Sequence, residues 1–289
     1  MEVKPRSKVG LSKLIGEAEN GELNSRIIED FLARNTLDPE TRERLLLWRD
    51  EFKFWERQVG LYCHMERGFH SRRLVKAMRD LAEPKPGEVW LDAGCGPAKM
   101  SEVIWEKSGG TVKKIIAIDI VLAQARERAE KIPVLELKYG NLGERLDFDD
   151  ETFDGIISNI AIPYVVEFEG SRGKEAMLQI FKELFRALKP GKQLIWSAPK
   201  RNMRSEPGFI ASIPDIIRER KNIPSLSIAI RLFKYTRELA KKGKEGIYTF
   251  LSPKEWNEIL EKVGFVNPTW RYVFTHQVWV NKVYKPNIV

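Results

Sequence analysis

The 289-residue chain is poor in the residues that build covalent frameworks and metal centres. It has two cysteines, Cys63 and Cys95, and three histidines, His64, His70 and His276. So few cysteines exclude a disulfide scaffold and point to a reducing cytoplasm. The spacing of Cys63, His64, His70 and Cys95 fits no zinc pattern, so no metal is expected. No apolar run approaches the ~18 residues that span a bilayer. The N-terminal MEVKPRSKVGLSKLIGEAENGEL lacks a continuous apolar signal core. A G-x-G-x-x-G dinucleotide fingerprint is also missing, as is any obvious nucleophile–base pair.

What is present is a soluble composition with a net charge of +8, which invites an anionic partner, nucleic acid or membrane surface. Residues 200–246 carry twelve Lys and Arg against five Asp and Glu, so nearly all of the excess lies there. Apolar residues are interleaved with that charge. Phe209, Ile210, Ile213, Ile216 and Ile217 form one predicted helical face, and Leu226, Ala229, Ile230 and Phe233 a second. Basic amphipathic helices suit a membrane surface or a partner, and equally a solvated cap packed by its apolar side.

The organising stretch is Val89–Ser101, VWLDAGCGPAKMS. A short apolar strand runs into Asp92-Ala93-Gly94-Cys95-Gly96, and a helix-compatible segment follows from Lys99. Strand, glycine turn and helix N-terminus together hold nucleotide-like ligands in α/β proteins, at the carboxyl end of the strands. An acid before the glycines repels a pyrophosphate and suits a cationic ligand portion such as an amino group. Lys114–Ile120, KIIAIDI, is a buried parallel strand by its continuous apolar run. It ends in Asp119, where an acid can bind paired ribose hydroxyls.

Around this core the chain alternates. Helices are predicted from Ser25 to Asn35, from Asp38-Pro39-Glu40 onward with Gly60 as a point of interruption, and over about Ser71–Leu81. Further helices are predicted over Leu122–Lys131 and Lys174–Lys189, the latter ended by a turn at Lys189-Pro190-Gly191-Lys192. Strands are predicted at Leu135–Tyr139, about Phe153–Asn159, Gln193–Ser197, Asn267–Thr275 and Gln277–Lys285, the last two paired around His276. Ser252 and Glu255 have capping-box spacing.

Asp92-Ala93-Gly94-Cys95-Gly96-Pro97-Ala98 resembles motif I of the class I S-adenosylmethionine-dependent methyltransferases, with Ala98 in place of a third glycine. Asp119 resembles motif II. Gly140-Asn141-Leu142 stands where the family has Gly-Asp beside the adenine. Thr152-Phe153-Asp154 with its following strand, and RALKPGKQLIWSAP, resemble later family segments. The resemblance implies an α/β, Rossmann-like, seven-stranded sheet with helices on both faces. It comprises an N-terminal helical extension or lid at 1–84, core at 85–199, a basic helical insertion at 200–248 serving as substrate lid, and the rest of the core at 249–289.

It further implies S-adenosyl-L-methionine as cofactor, S-adenosyl-L-homocysteine as product, and in-line methyl transfer to a small-molecule or lipid-like acceptor. Asp92, Gly94, Gly96, Asp119, Asn141, Leu142, Asn159 and Tyr62 are the expected cofactor residues. His64, His70 and His276 are the candidates for a general base, should the acceptor need one. An Asn-Pro-Pro-Tyr or Asp-Pro-Pro-Tyr tetrapeptide is absent after the fourth strand, where Asn159-Ile160-Ala161-Ile162 stands, which disfavours methylation of DNA bases or protein glutamine. The expected location is the cytoplasm, with peripheral contact to an anionic inner membrane surface through 200–246. Two alternatives stay open: an RNA methyltransferase using that segment, and a non-catalytic S-adenosylmethionine-binding regulator.

Overall fold

The computed structural model describes residues 11–15, 23–67, 69–204, 206–207, 226–273 and 276–287. Four helices precede the first strand: α1 (Leu11–Leu14), α2 (Ser25–Arg34), α3 (Pro39–Arg67) and α4 (Phe69–Leu81). There follow β1 (Val89–Ala93), α5 (Lys99–Lys107), β2 (Lys114–Asp119), α6 (Arg126–Lys131), β3 (Leu135–Tyr139), β4 (Phe153–Ser158), α7 (Gly173–Ala187) and β5 (Leu188–Pro199). The chain ends with α8 (Leu226–Lys244), α9 (Pro253–Val263), β6 (Val266–Val273) and β7 (Val278–Tyr284).

The seven strands form one sheet in the order β3-β2-β1-β4-β5-β7-β6. The first five are parallel, and β7 runs antiparallel to both β5 and β6. Alternation along each strand divides the core. Leu91, Ile116, Ile118, Ile156, Leu194 and Trp196 face α7 and α9, whereas Trp90, Ile115, Ile157, Ile195 and Val280 face α4 and α5. Each such side chain, fully withdrawn from water, contributes about 1.5–3 kcal/mol. The order reverses between β1 and β4, which opens the ligand crevice at the carboxyl ends of these strands.

Several local expectations change. Asn24, one residue before the predicted start, caps α2, its side chain accepting from the Ile27 N–H. Ser25 instead donates through Oγ and N–H to Glu56 on α3. Helix α3 runs unbroken through Gly60, where a side chain would meet nothing within 4 Å. A mid-helix glycine costs only about 1 kcal/mol, which packing elsewhere on α3 outweighs. The Lys189–Lys192 segment is extended strand rather than turn. Phe153 pairs with Leu188 and Gly155 with Gln193, so the extra residues bulge out of the β4–β5 ladder with Gly191 at φ 72°.

On α8, Ile230 is 46% exposed, and the buried residues are Tyr235, Leu239 and Ala240. Of the expected face of Leu226, Ala229, Ile230 and Phe233, Ile230 faces solvent and Phe233 is half-buried, while the side chains of Leu226 and Ala229 lie outside the described residues. The face predicted from Phe209 to Ile217 lies outside the described residues.

Candidate active site

At the end of β1 the backbone turns through Gly94 (φ 72°) and Gly96 (φ 51°). The N–H groups of Gly94 and Cys95 both donate to the Ile118 carbonyl at 2.9 Å, tying the turn to β2. A Cβ on Gly94 would fall 2.2 Å from Ala161 Cβ, so only glycine fits there. Ala98, which precedes α5, is wholly buried at φ 58°. The third-glycine position is thus demanded by backbone conformation as much as by helix–strand closeness.

Asp119 joins the two strand ends. Its Oδ2 accepts the Gly96 N–H at 2.8 Å and its Oδ1 the Val121 N–H at 2.9 Å. Each oxygen keeps a further lone pair for a ligand hydroxyl. Burial raises its carboxyl above the usual carboxylate range, against the pull of those N–H donors.

Asp92 is 1% exposed. Its Oδ2 accepts from Ser101 N–H at 2.9 Å and Ser101 Oγ at 2.7 Å, which anchors the first turn of α5. Its Oδ1 is buried and has no hydrogen-bond partner among the described residues. Burial lifts this carboxyl to about 7, while the two Ser101 donors pull it down. A buried unpaired oxygen costs 1–3 kcal/mol or more and calls for a donor.

Asn141 Oδ1 accepts the Gly143 N–H at 2.8 Å, an Asx turn that shapes the loop after β3. Leu142 is buried, and its Cδ1 would lie 3.5 Å from a Gly94 side chain. Asn159 Oδ1 accepts from Ser197 Oγ at 2.8 Å. Asp92, Gly94, Gly96, Asp119 and Leu142 thus converge on one turn, and Asn141 and Asn159 stand on the loops beside it. Tyr62 and His64 fall on α3 and His70 on α4, but their side chains lie outside the described residues. His276 is exposed in the β6–β7 turn, 5.5 Å from the Tyr272 ring. Its hairpin is three strand spacings from β1, ~14 Å.

Residues invisible to motif reasoning complete the site. Gln124 presents its side-chain amide to Gly96, with Nε2 3.8 Å from where a Cβ on that glycine would stand and Oε1 buried with no partner among the described residues. Glu144 accepts the Ser12 N–H at 3.0 Å and also its hydroxyl, which lays α1 beside Tyr139. Leu11, Leu45, Trp48 and Phe52 pack with Ile120 and Tyr139, so α1–α3 cover the ends of β2 and β3. Over the end of β4 stands an aromatic roof. Tyr164 lies 5.4 Å from Trp55, 4.9 Å from Tyr248 and 5.7 Å from Phe250, ring centre to ring centre. Phe54, Tyr235 and Leu239 close it from α3 and α8. Behind it Glu51 accepts from Lys242 Nζ at 2.6 Å and Tyr248 OH at 2.8 Å. Burial pushes the Tyr164 and Tyr248 phenols well up.

Sheet order, glycine turn and strand-end acid together define a Rossmann-like methyltransferase fold. A family profile described as a methyltransferase domain matches residues 91–196. Over 200 residues the chain is 28% identical to the demethylmenaquinone methyltransferase of Bacillus cereus, covering 68% of this chain and 76% of that one. It is 34% identical over 113 residues to the Lysinibacillus sphaericus demethylmenaquinone methyltransferase, covering 38% and 44%. It is 26% identical over 265 residues to the botryococcene C-methyltransferase of Botryococcus braunii, covering 86% and 64%. The first of the curated relatives, from Teredinibacter turnerae, Lysinibacillus sphaericus and Botryococcus braunii, are matched over less than half their own length.

Among solved structures, the methyltransferase in complex with the Haloferax volcanii Trm112 activator shares the fold at TM-score 0.56 and 14% identity, over 81% of this chain and 98% of that one. The Haemonchus contortus phosphoethanolamine N-methyltransferase 2, bound to phosphomonomethylethanolamine and S-adenosylhomocysteine, shares it at TM-score 0.51 and 14% identity, over 74% and 52%. The methyltransferase-domain match over residues 91–196, together with these relatives, supports placement with the class I S-adenosylmethionine-dependent methyltransferases.

Proposed function

We propose that the chain transfers a methyl group from S-adenosylmethionine to a small-molecule or lipid-like acceptor. The observation that carries this is the union of the Gly94–Gly96 turn with Asp119 through the 2.8 Å Gly96–Asp119 bond. The residues fit the cofactor. The free lone pairs of Asp119 suit paired ribose hydroxyls, the unpartnered Asp92 Oδ1 suits an ammonium, and Asn141 can still accept once from an adenine amino group. When bound, the cofactor supplies a methyl group on a positively charged sulfur, already a good leaving group.

The protein's task is then alignment and exclusion of water. Helices α1–α3 cover the cofactor side, and Trp55, Tyr164, Tyr248 and Phe250 wall the acceptor side. Glu51 is taken up by Lys242 and Tyr248, and the buried phenols stay protonated. This roof favours an apolar acceptor that needs no base from it. Relatives named as demethylmenaquinone and botryococcene C-methyltransferases support that class.

Peripheral contact with an anionic surface belongs to the same proposal. The exposed side of α8 and its exit carries Arg231, Lys234, Arg237, Lys241 and Lys244 between the exposed Ile230 and Ile247, the pattern of an interfacial helix. Among the described residues no helix is long and apolar enough to cross a membrane. Replacing Lys234, Arg237, Lys241 and Lys244 by Gln abolishes sedimentation with phosphatidylglycerol vesicles if this is right. Wild-type sedimentation no greater than with phosphatidylcholine vesicles contradicts it.

Calorimetric titration with S-adenosylmethionine and S-adenosylhomocysteine tests the cofactor assignment. Micromolar binding by the wild type, lost in Asp119→Ala, supports it. No binding by a folded wild-type protein refutes it. Labelled methyl transfer into a lipid extract rather than into RNA then separates the acceptor classes.

A further inference from the structure

Ile160 has φ 51°, which for a β-branched residue is a true outlier and a store of strain. It follows β4 by two residues and sits beside the glycine turn. One hydroxyl on the neighbouring strand holds it there. Ser197 Oγ, 1% exposed on β5, accepts the Ile160 N–H at 2.8 Å and donates to Asn159 Oδ1 at 2.8 Å. One proton and two lone pairs allow both bonds at once.

The left-handed residue has effects on either side. Ala161, next in the chain, is brought into the space a Gly94 side chain would fill. The 162–164 turn then carries Tyr164 into the aromatic roof. The Ile160 side chain packs against both the Ile157–Ile195 side of the core and the roof itself. A glycine would adopt this backbone without strain but would lose that wall. Isoleucine keeps the wall and needs an external clamp.

We propose that Ser197 is a positioning residue for methyl transfer. It holds Ile160 in the left-handed conformation and so fixes the separation between the cofactor turn and the acceptor wall. This rests on the cofactor assignment above. In-line displacement is sensitive to displacements of about 1 Å, which is why such a clamp matters.

The test uses the full chain as wild type, Ser197→Ala, Ile160→Gly and the double variant. S-adenosylhomocysteine affinity is measured by calorimetry, and hydrogen exchange is followed in peptides covering 159–164. Ser197→Ala removes both bonds and is expected to weaken S-adenosylhomocysteine about tenfold, and to speed exchange at Ile160. Ile160→Gly alone, which keeps both Ser197 bonds, is expected to lose less affinity than Ser197→Ala. The double variant regains most of the affinity although the hydroxyl is still missing, because glycine takes the turn unaided. A merely structural serine would instead lower the melting temperature and leave affinity per folded molecule unchanged in every variant.

Wild-type affinity and exchange in Ser197→Ala overturn the proposal. So does a double variant no better than Ser197→Ala, which would mean that the hydroxyl does not act through Ile160. If the wild type fails to bind S-adenosylhomocysteine while Ser197→Ala still speeds exchange, the clamp is real but the cofactor assignment falls, and the positioning role falls with it.

Discussion

The carboxylate of Glu167 meets the guanidinium of Arg44 in two parallel hydrogen bonds, 2.8 and 3.0 Å long, in a site where Glu167 is 1% exposed. Trp48 Nε1–H at 2.7 Å and Gly170 N–H at 2.7 Å complete its shell. A loop of the core thereby grips α3 with a buried, fully satisfied acid.

Replacing that acid by an amide keeps one acceptor oxygen but sets an NH2 group against two of the four donors. Glu167→Gln should cost about 3 kcal/mol, the lower end for breaking a buried pair from one side. Arg44→Met should cost less, since Glu167 keeps the Trp48 and Gly170 donors. Thermal unfolding of both variants gives the order. Equal losses would mean that the carboxylate does not organise the cluster.

Asp92 makes stability depend on pH in a definite direction. Burial lifts its carboxyl from 3.8 to about 7, with the Ser101 hydroxyl and N–H opposing and Asp119 adding to the rise. A folded-state value above the unfolded one favours the protonated form. Its stabilising contribution is therefore complete below about pH 4 and lost as the pH rises through about 7. Urea unfolding at pH 5, 6, 7 and 8 should show wild-type stability declining relative to Asp92→Asn, with the gap steady above about pH 8. A gap constant over the whole range would contradict it.

Lys242 and Glu51 tie α8 to α3, with the ammonium also 4.2 Å from the centre of the Phe54 ring. Lys242→Met and Glu51→Gln each strand the other partner in an apolar setting. Their double variant should be more stable than the sum of the single losses by about 0.5–3 kcal/mol, the range for residues in direct contact. Faster hydrogen exchange across 226–244 in each single variant is the accompanying sign. Additive losses would show that the pair is not coupled.

Much of this architecture can be read in the chain because its signals are local. The apolar run into Asp92-Ala93-Gly94, the acid closing KIIAIDI, the amphipathic 174–188 stretch and the Ser252–Glu255 capping box are each decided within a few residues, and the last is present with both reciprocal bonds. The hairpin around His276 is equally local.

What escaped depends on distant partners. Ser197 reads as any strand serine until β4 lies beside β5. Tyr248 and Phe250 match no motif, and meet Trp55 only because α3 and the segment after α8 share one roof. The buried edge at Tyr235 and Leu239 of α8 is set by Phe54 and Trp55 of α3, partners far away in the chain. At Lys189–Lys192, proline and glycine signal a turn, yet the ladder to β4 absorbs them as a bulge.

Helix α3 spans 29 residues, ~43 Å at 1.5 Å per residue. Trp48 and Phe52 rest over the β2 and β3 ends, Glu51 holds α8, and Phe54 and Trp55 belong to the aromatic roof. Under the proposed function, one beam serves both the cofactor and the acceptor. Whatever free energy the cofactor contributes to seating α3 is also available to the acceptor, and the coupling is reciprocal. Affinity for either should rise when the other is bound, with no contact between them required.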